Sequence, residues 1–342
     1  MLRSLRPLRG ATRACACKST NFSSVSFNAF NGNVSWFPGH MKKAADAIAE
    51  RLRGTHGAPD LVIEVRDARL PISSANPALA AAAKGKPRLI VLNKAELCNP
   101  NMRGRTRQAV LSHEADAGAL AEGTDVMFTS MHKRKGAAQV LDWACNAAQC
   151  LEFSMAVVMV LGMPNVGKST LINSLRQLAS SSSSTATSRR RHRTGRRRRT
   201  ASAAVGETPG VTRNISSFQL SDRPPLFVLD SPGLMVPRVE SVEVGLKLAL
   251  LNVVHEKVVG IDVLADYLMY HFQYTGRATR ICQALELQAL PASLDELLVL
   301  PEMLRRCGAS GKRPDDARLL VARHLVNMLR DGRFGLLTLD DL

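Results

Sequence analysis

The segment GMPNVGKST (residues 162–170) decides the fold of this 342-residue chain. It matches the pattern GxxxxGK[ST], follows the apolar run AVVMVLG (156–162) and precedes the helical pattern LINSL (171–175). In a strand, loop and helix unit of this kind, the backbone N–H groups of the loop surround phosphate oxygens. We therefore predict a phosphate-binding loop, with Lys168 on the β/γ-phosphate oxygens and Ser169 on Mg²⁺. Its other predicted nucleotide-binding residues are Asn165, Val166, Gly167 and Thr170.

Five more runs predict strands around this loop: LVIEV (61–65), RLIVL (88–92), VMFTS (126–130), ISSFQL (215–220) and LFVLD (226–230). Most are short and continuously apolar, as expected of strands covered by helices on both faces. Together with an amphipathic helix over residues 41–53, they predict an α/β domain with a six-stranded, mostly parallel sheet. After about residue 238 only helical patterns follow, which predicts a smaller all-helical C-terminal domain over residues 239–342.

The formal net charge of +17 is concentrated in two segments. Residues 1–35 carry five Lys or Arg and residues 179–203 carry eight Arg, and neither segment contains an acidic residue. The first resembles a mitochondrial or plastid transit peptide, so we assign residues 1–33 to a targeting presequence, with a disordered basic tail as the alternative. The second is a low-complexity stretch that cannot form a core, so residues 180–203 are predicted to be a disordered Ser/Arg-rich insertion. Whether that insertion binds RNA or is a solvated loop stays open.

Two exclusions follow from composition. The seven cysteines are scattered and form no CxxC pair or Cys/His spacing, which argues against a structural zinc site. No apolar run reaches the roughly 18 to 20 residues of a membrane-spanning helix, so any membrane association would be peripheral.

Asn93, Lys94 and Glu96 form the sequence NKAE directly after the strand RLIVL. This resembles the NKxD motif of GTPases, in which Asn reads the guanine edge and the Lys stem covers the base. The carboxylate then accepts two hydrogen bonds, from guanine N1–H and the 2-amino group. Adenine offers no such donor pair, so a buried carboxylate would reject it. Glu96 is one methylene longer than the usual Asp, and the alternative interpretation is a helix that merely begins with NKAE.

Other polar residues complete the predicted site. Asp230 and Gly233, in DSPG (230–233) after the last strand, fit DxxG: Asp230 holds Mg²⁺ through water and the Gly233 N–H contacts the γ-phosphate. Thr212, in TPGVT (208–212), is the predicted second Mg²⁺ ligand of the first switch. Thr129 and Ser130 end the strand VMFTS and would present backbone groups to the base.

The motif order is informative, because the guanine motif precedes the phosphate loop and DxxG comes last. Such a permutation preserves a sheet when the chain is cut and rejoined at loops. The chain resembles the circularly permuted GTPases of the YlqF type, through WFPGHM (36–41), VRDARLP (65–71), Asn76-Pro77, Phe334-Gly335 and the motifs above. The fold class is accordingly a circularly permuted P-loop GTPase domain (34–238) followed by a helical RNA-binding domain (239–342).

The resemblance implies a monomeric GTPase that assembles the large ribosomal subunit and binds its rRNA. The implied location is the mitochondrial matrix, with peripheral contact with the inner membrane, or alternatively a plastid. Leu234 stands where many GTPases keep a water-orienting Gln. Asn165 matches the residue that helps hold K⁺ in potassium-dependent relatives, and His40 is a candidate for positioning water or a structural residue on a turn. The alternatives are a nucleotide-gated binding module with negligible catalysis, and an ATP-using enzyme that NKAE opposes.

Overall fold

The computed structural model describes residues 39–54, 58–151, 154–184, 216–231, 233, 239 and 241–342. In this part of the chain, six strands form one sheet in the order β3-β2-β1-β4-β6-β5. The strands are β1 (Leu61–Asp67), β2 (Arg88–Asn93), β3 (Asp125–Phe128), β4 (Ala156–Gly162), β5 (Ser216–Asp222) and β6 (Pro225–Asp230). All neighbours run parallel except β5, which is antiparallel to β6 at the edge. The predicted six-stranded, mostly parallel sheet is confirmed.

Five helices accompany the sheet: α1 (Gly39–Arg53), α2 (Pro77–Ala82), α3 (Arg103–Asp116), α4 (Ala137–Cys150) and α5 (Lys168–Ser184). On one face, Ile48 and Leu52 of α1 pack with Val62 and Met159. Val110 of α3 packs on β2 at that same face. Helices α4 and α5 contact each other and also β1 and β4. Every residue of β1 is buried, as expected of a parallel strand covered on both faces.

Glu64 and Arg66 interrupt the apolar pattern within β1, and both are neutralised by ion pairs inside the fold. Arg66 donates to Glu64 at 2.7 Å and to Glu114 of α3 at 2.5 Å. Arg88 of β2 pairs with the same two carboxylates. Because each of the four groups is at most 3% exposed and paired, the strand tolerates charges that would otherwise be costly to bury.

In the C-terminal region, the described secondary-structure elements are all helices. They include α6 (Val242–Leu250), α7 (Ile261–Tyr274), α8 (Ala278–Leu285), α9 (Leu294–Leu298), α10 (Pro301–Arg306) and α11 (Pro314–Arg330). Helix α11 packs on α7. All described residues belong to one compact unit, and the domain boundary at residue 238 stays a prediction. No helix among them has both the length and the apolarity to cross a membrane.

Two local expectations need correction. His40 lies within α1, which begins at Gly39, and not on a turn before the helix. Helix α5 continues to Ser184, so the first five residues of the predicted disordered insertion are helical. Ser180 and Ser181 donate their hydroxyls to the carbonyls of Arg176 and Leu178, which gives these hydroxyls partners within the helix. The presequence, Thr212, Leu234 and the Arg-rich remainder of the insertion lie outside the described residues.

Candidate nucleotide-binding site

The parallel strands bring the predicted site residues to one edge of the sheet. Asp67 pairs with Asn93, Val65 with Gly162, and Val160 with Asp230. These pairs place the guanine motif, the phosphate loop and DxxG at the carboxyl ends of β2, β4 and β6. Ligands of open α/β sheets bind in this position.

The phosphate loop holds its lysine inside the protein. Lys168 is 6% exposed, and its Nζ donates to the carbonyl of Met163 at 2.5 Å. Burial lowers the pKa of Lys168 to about 8, an effect that the charge of Asp230 opposes. Gly233 lies against the loop, because a Cβ on it would be 2.9 Å from Lys168 Nζ and from Pro164 Cα. The structure therefore brings together Lys168, Asp230 and Gly233 as the sequence predicts.

Asn93 connects the guanine motif to the phosphate loop. Its Nδ2 donates to the carbonyl of Val166 at 2.9 Å, and its Oδ1 accepts from the backbone N–H of Met131 at 3.1 Å. The loop approaches so closely that a Cβ on Gly167 would be 2.1 Å from Asn93 Nδ2. Gly167 also has φ +105°, which other residues rarely adopt. Asn93 therefore links the guanine motif to the phosphate loop.

Lys94 makes a second connection. It adopts a left-handed conformation with φ 62°, and its Nζ lies 2.9 Å from both the carbonyl of Asn165 and Asp67 Oδ2. Asp67 is fully buried. Burial alone would raise the pKa of Asp67, but the charges of Arg69 and Lys94 hold it well below its usual value. The Asp67 carboxylate is therefore ionised and fixes the position of the Lys94 ammonium.

Glu96 lies on a 3₁₀ turn, Ala95–Leu97, beside the end of β3. Its Oε2 is buried and has no hydrogen-bond partner among the described residues, and the same holds for the hydroxyl of Ser130. Thr129 is engaged, since its carbonyl accepts from Ala95 N and its hydroxyl lies 3.4 Å from Asn93 Oδ1. A buried carboxylate oxygen without a donor costs free energy that a ligand with N–H groups can recover. Glu96 and Ser130 thus offer hydrogen-bonding capacity where the guanine base is predicted to lie.

The surroundings of Asp230 show whether this end of the sheet could hold Mg²⁺. Asp230 is 2% exposed, and its Oδ1 is buried without a hydrogen-bond partner in the described part of the chain. Burial raises the pKa of Asp230, and the charges of Lys168 and Arg176 act against that shift. A buried, hard oxygen acceptor near Lys168 of the phosphate loop fits an Mg²⁺ site, and the half-buried Ser169, in the first turn of α5, is a further candidate ligand.

Comparison with known proteins agrees with this geometry. A family model described as "50S ribosome-binding GTPase" matches residues 157–289. Mitochondrial ribosome-associated GTPase 1 of Bos taurus is 37% identical over 305 residues, covering 86% of this chain and 80% of the relative. This chain belongs to the mitochondrial ribosome-associated GTPase family. It is accordingly a GTPase, and GTPases of this kind use Mg²⁺.

Two further matches extend the comparison. "Short integuments 2, mitochondrial" of Arabidopsis thaliana is 40% identical over 248 residues, which cover 72% of this chain and 58% of that relative. The matched region thus spans less than two thirds of the Arabidopsis protein. The crystal structure of GNP-bound YlqF from T. maritima aligns with 88% of this chain and 100% of that chain, with a TM-score of 0.49 and 20% identity.

The motifs of this family member occur in permuted order within a continuous sheet. The guanine motif follows β2, the phosphate loop follows β4, and DxxG follows β6. Asn165, the predicted K⁺ residue, has φ 56° and donates through Nδ2 to the carbonyl of Asn252 at 2.8 Å. The phosphate loop therefore contacts the helical region directly. The side chain of His40 lies outside the described part of the structure.

Sequence reasoning missed two residues of this GTPase site. Asp67 and Arg69 occur in VRDARLP, which carried the family resemblance without a stated role. A signal for Asp67 was available in the sequence. Its carboxylate ends the buried strand β1, whose neighbour β2 leads into NKAE. The contact between Asn165 and Asn252 had no such signal, since it joins residues 87 positions apart.

Proposed function

We propose that this GTPase is a nucleotide-dependent switch in the assembly of the mitochondrial large ribosomal subunit. The observation that carries the proposal is the buried, unpartnered Oε2 of Glu96 on a motif joined to the phosphate loop through Asn93 and Lys94. Support for the ribosome comes from the name of the bovine relative and the description of the family model. Support for the mitochondrial matrix comes from the transit-peptide-like composition of residues 1–33. A peripheral inner-membrane contact, a monomeric state and a plastid location remain hypotheses.

The residues suit GTP hydrolysis in complementary ways. Lys168 neutralises phosphate charge, Gly233 presents its backbone N–H beside the loop, and Asp230, Ser169 and Thr212 would hold Mg²⁺. When bound there, Mg²⁺ would supply positive charge that stabilises the negative charge developing on the phosphates. Asn93 fixes the loop against the guanine motif, so base recognition and phosphate binding share one rigid unit.

Water activation needs another group, because Leu234 cannot form hydrogen bonds through its side chain. We propose that K⁺ at Asn165 and water positioning by His40 supply what Leu234 lacks. Turnover measured in KCl and in NaCl tests the first proposal. His40→Ala should slow turnover with little change in GTP affinity, and normal turnover would return His40 to a structural role.

The second candidate function is a nucleotide-gated binding module with negligible catalysis, which Leu234 favours. GTP turnover with and without mitochondrial large subunits separates the two functions. Stimulated turnover supports the enzyme. GTP-dependent subunit binding without any turnover would support the binding module.

An RNA partner is supported by one exposed turn at the rim of the site. His132, Lys133, Arg134 and Lys135 are all exposed and form no ion pair with any described residue. The turn is closed by backbone hydrogen bonds between Ser130 and Lys135, at 2.9 and 3.0 Å. Nearby, the Arg103 guanidinium lies 5.4 Å from the ring centroid of Phe128 at the end of β3. We call residues 132–135 the basic turn.

The helical region has a different charge balance. Residues 239–342 contain fourteen acidic and twelve basic residues. Several of its arginines are engaged in ion pairs, as Arg318 is with Asp266 and Asp295 and Arg330 is with Glu256. Unpaired surface cations attract RNA phosphates most strongly. We therefore propose that the basic turn contacts rRNA. This contact would add to RNA binding by the helical region.

A further inference from the structure

We propose that Arg69 is a positioning residue for guanine recognition, through which the C-terminal segment (residues 332–342) and the end of α11 hold the guanine motif in place. This inference rests on the proposed guanine specificity and goes beyond it, since it assigns part of that specificity to the helical region. The proposal depends on three sets of contacts.

The first set surrounds the Arg69 guanidinium, which is nearly fully buried. Nε and Nη2 donate to the two carboxylate oxygens of Asp67 at 3.1 and 3.0 Å. Nη1 donates to the carbonyls of Arg330 at 3.2 Å and Leu329 at 3.5 Å. The last carbonyls of a helix lack partners within it and carry partial negative charge, which a guanidinium complements. Arg69 therefore joins the end of α11 to Asp67.

The second set leads from Asp67 to the base-reading residues. Asp67 Oδ2 contacts both Arg69 Nη2 and Lys94 Nζ, the latter at 2.9 Å. Lys94 is the residue whose stem is predicted to cover the guanine. If Arg69 is lost, the buried carboxylate keeps only one charged partner, and its orientation toward Lys94 is no longer fixed from the other side. The position of Lys94 thus depends on a residue that does not touch the nucleotide.

The third set supports the turn that carries Glu96. The N–H of Leu337 donates to the carbonyl of Leu97 at 3.0 Å, and the N–H of Leu339 donates to the carbonyl of Arg69 at 2.9 Å. Gly332 lies so close to Leu97 that a Cβ on it would be 2.6 Å from Leu97 Cδ2. Glu96 precedes Leu97 on the same 3₁₀ turn. The C-terminal segment therefore contacts and supports the turn that carries Glu96.

These contacts would couple guanine binding to any partner of the C-terminal segment. If these contacts position Lys94 and Glu96, any partner that displaces the C-terminal segment must weaken guanine binding. By linkage, guanine binding must weaken that partner by the same factor. The helical region would then be coupled to guanine-nucleotide occupancy through the guanine motif, in addition to its connection to the second switch.

The test compares GTP with ITP, which lacks the 2-amino group that Glu96 is predicted to bind. In the full chain, Arg69→Lys keeps a positive charge but cannot reach Asp67 and α11 together. We expect it to weaken GTP binding about tenfold and ITP binding much less, so that the GTP/ITP affinity ratio falls. Arg318→Lys is the matched control, because Arg318 bridges α7 and α9 and does not contact the guanine motif. It should leave the ratio unchanged.

A second variant, Asp340→Asn, tests the same contacts in case Arg69→Lys does not fold. Asp340 accepts from the N–H groups of Ile72 and Ser73 at 2.8 and 2.9 Å, and so attaches the C-terminal segment to the loop after β1. Asp340→Asn should lower the GTP/ITP ratio in the same direction by a smaller factor. An equal loss of GTP and ITP affinity in both variants, or an equal ratio change in Arg318→Lys, would overturn the proposal. A wild-type protein that does not prefer GTP to ATP would instead overturn the guanine assignment itself.

Discussion

At the scale of single residues, the site is defined by polar atoms that the protein buries and leaves without partners. Glu96 Oε2 and Asp230 Oδ1 both have this property, one at the predicted base and the other at the predicted metal. Leaving such acceptors unpaired destabilises the nucleotide-free protein, and a ligand that satisfies them recovers that free energy on binding. Nucleotide selection is therefore expected to depend strongly on these two carboxylates.

Substitutions at Glu96 test the base assignment. GTP and GDP should bind with Mg²⁺, while ATP should bind at least about a hundredfold more weakly because adenine leaves the carboxylate unpaired. Glu96→Asp should preserve or tighten GTP binding, and Glu96→Ala should weaken it by about 2 kcal/mol. Titration of each variant with fluorescent GTP and ATP analogues measures these differences. Equal affinity of the wild-type protein for GTP and ATP would contradict the assignment.

Lys168 predicts a pH dependence of GTP binding. Its pKa is lowered to about 8, so its ammonium form, which attracts the triphosphate, predominates below that pH. GTP affinity should therefore decline above about pH 8, by up to tenfold per pH unit, until the pKa of the bound state is reached. Calorimetric titration across this range measures the decline. Lys168→Ala should abolish both hydrolysis and the pH dependence, and Ser169→Ala should abolish hydrolysis alone. Normal turnover in either variant would contradict the phosphate-loop interpretation.

At the scale of elements, the sequence predicted the strands well because their signal is local. Buried parallel strands are short apolar runs, and β4 matches its predicted bounds, Ala156–Gly162. The extension of α5 through a serine run was missed, since those hydroxyls find partners within the helix itself. The 3₁₀ turn at Glu96 is held by Leu97 contacts with residues far along the chain. Such contacts leave no pattern in the local sequence.

Lys133, Arg134 and Lys135 of the basic turn are exposed and form no ion pair with any described residue. Changing Lys133, Arg134 and Lys135 to Gln should weaken rRNA binding and lower the log–log salt slope by about two, at 0.7 to 0.9 per lost phosphate contact. The matched control changes three other exposed basic residues outside the helical region, Arg51, Arg53 and Lys84, to Gln. Filter binding over a range of KCl concentrations measures both slopes. Equal effects of the two triple variants would show that only net charge matters.

At the scale of the whole molecule, the permuted order places the helical region directly after DxxG. The structure adds connections from that region back to the nucleotide site, in addition to the contacts with Leu97. One joins Asn252 to Asn165 of the phosphate loop, and the other joins the end of α11 to Asp67 through Arg69. Three parts of the site therefore contact or lead into one helical region. A single rearrangement of that region can respond to the base, the phosphates and the second switch together.

The role of the Arg-rich insertion can be tested with a deletion that leaves α5 intact. All eight arginines of the insertion lie in residues 189–199, after the helix ends at Ser184. Deletion of residues 185–199 spares α5 and removes the charge that would contact RNA phosphates. GTP affinity should stay within about threefold, while ribosome or RNA binding becomes weaker and less salt-sensitive.

A variant with a Gly/Ser segment of equal length controls for the shortened connection to the first switch. If charge is the cause, this variant should match the deletion in its salt slope, because both lack the arginines. An unchanged slope in both would show that the insertion is a passive loop. Loss of GTP binding in the deletion alone would mean that its length orders the switch, since the Gly/Ser variant keeps that length and loses only the charge.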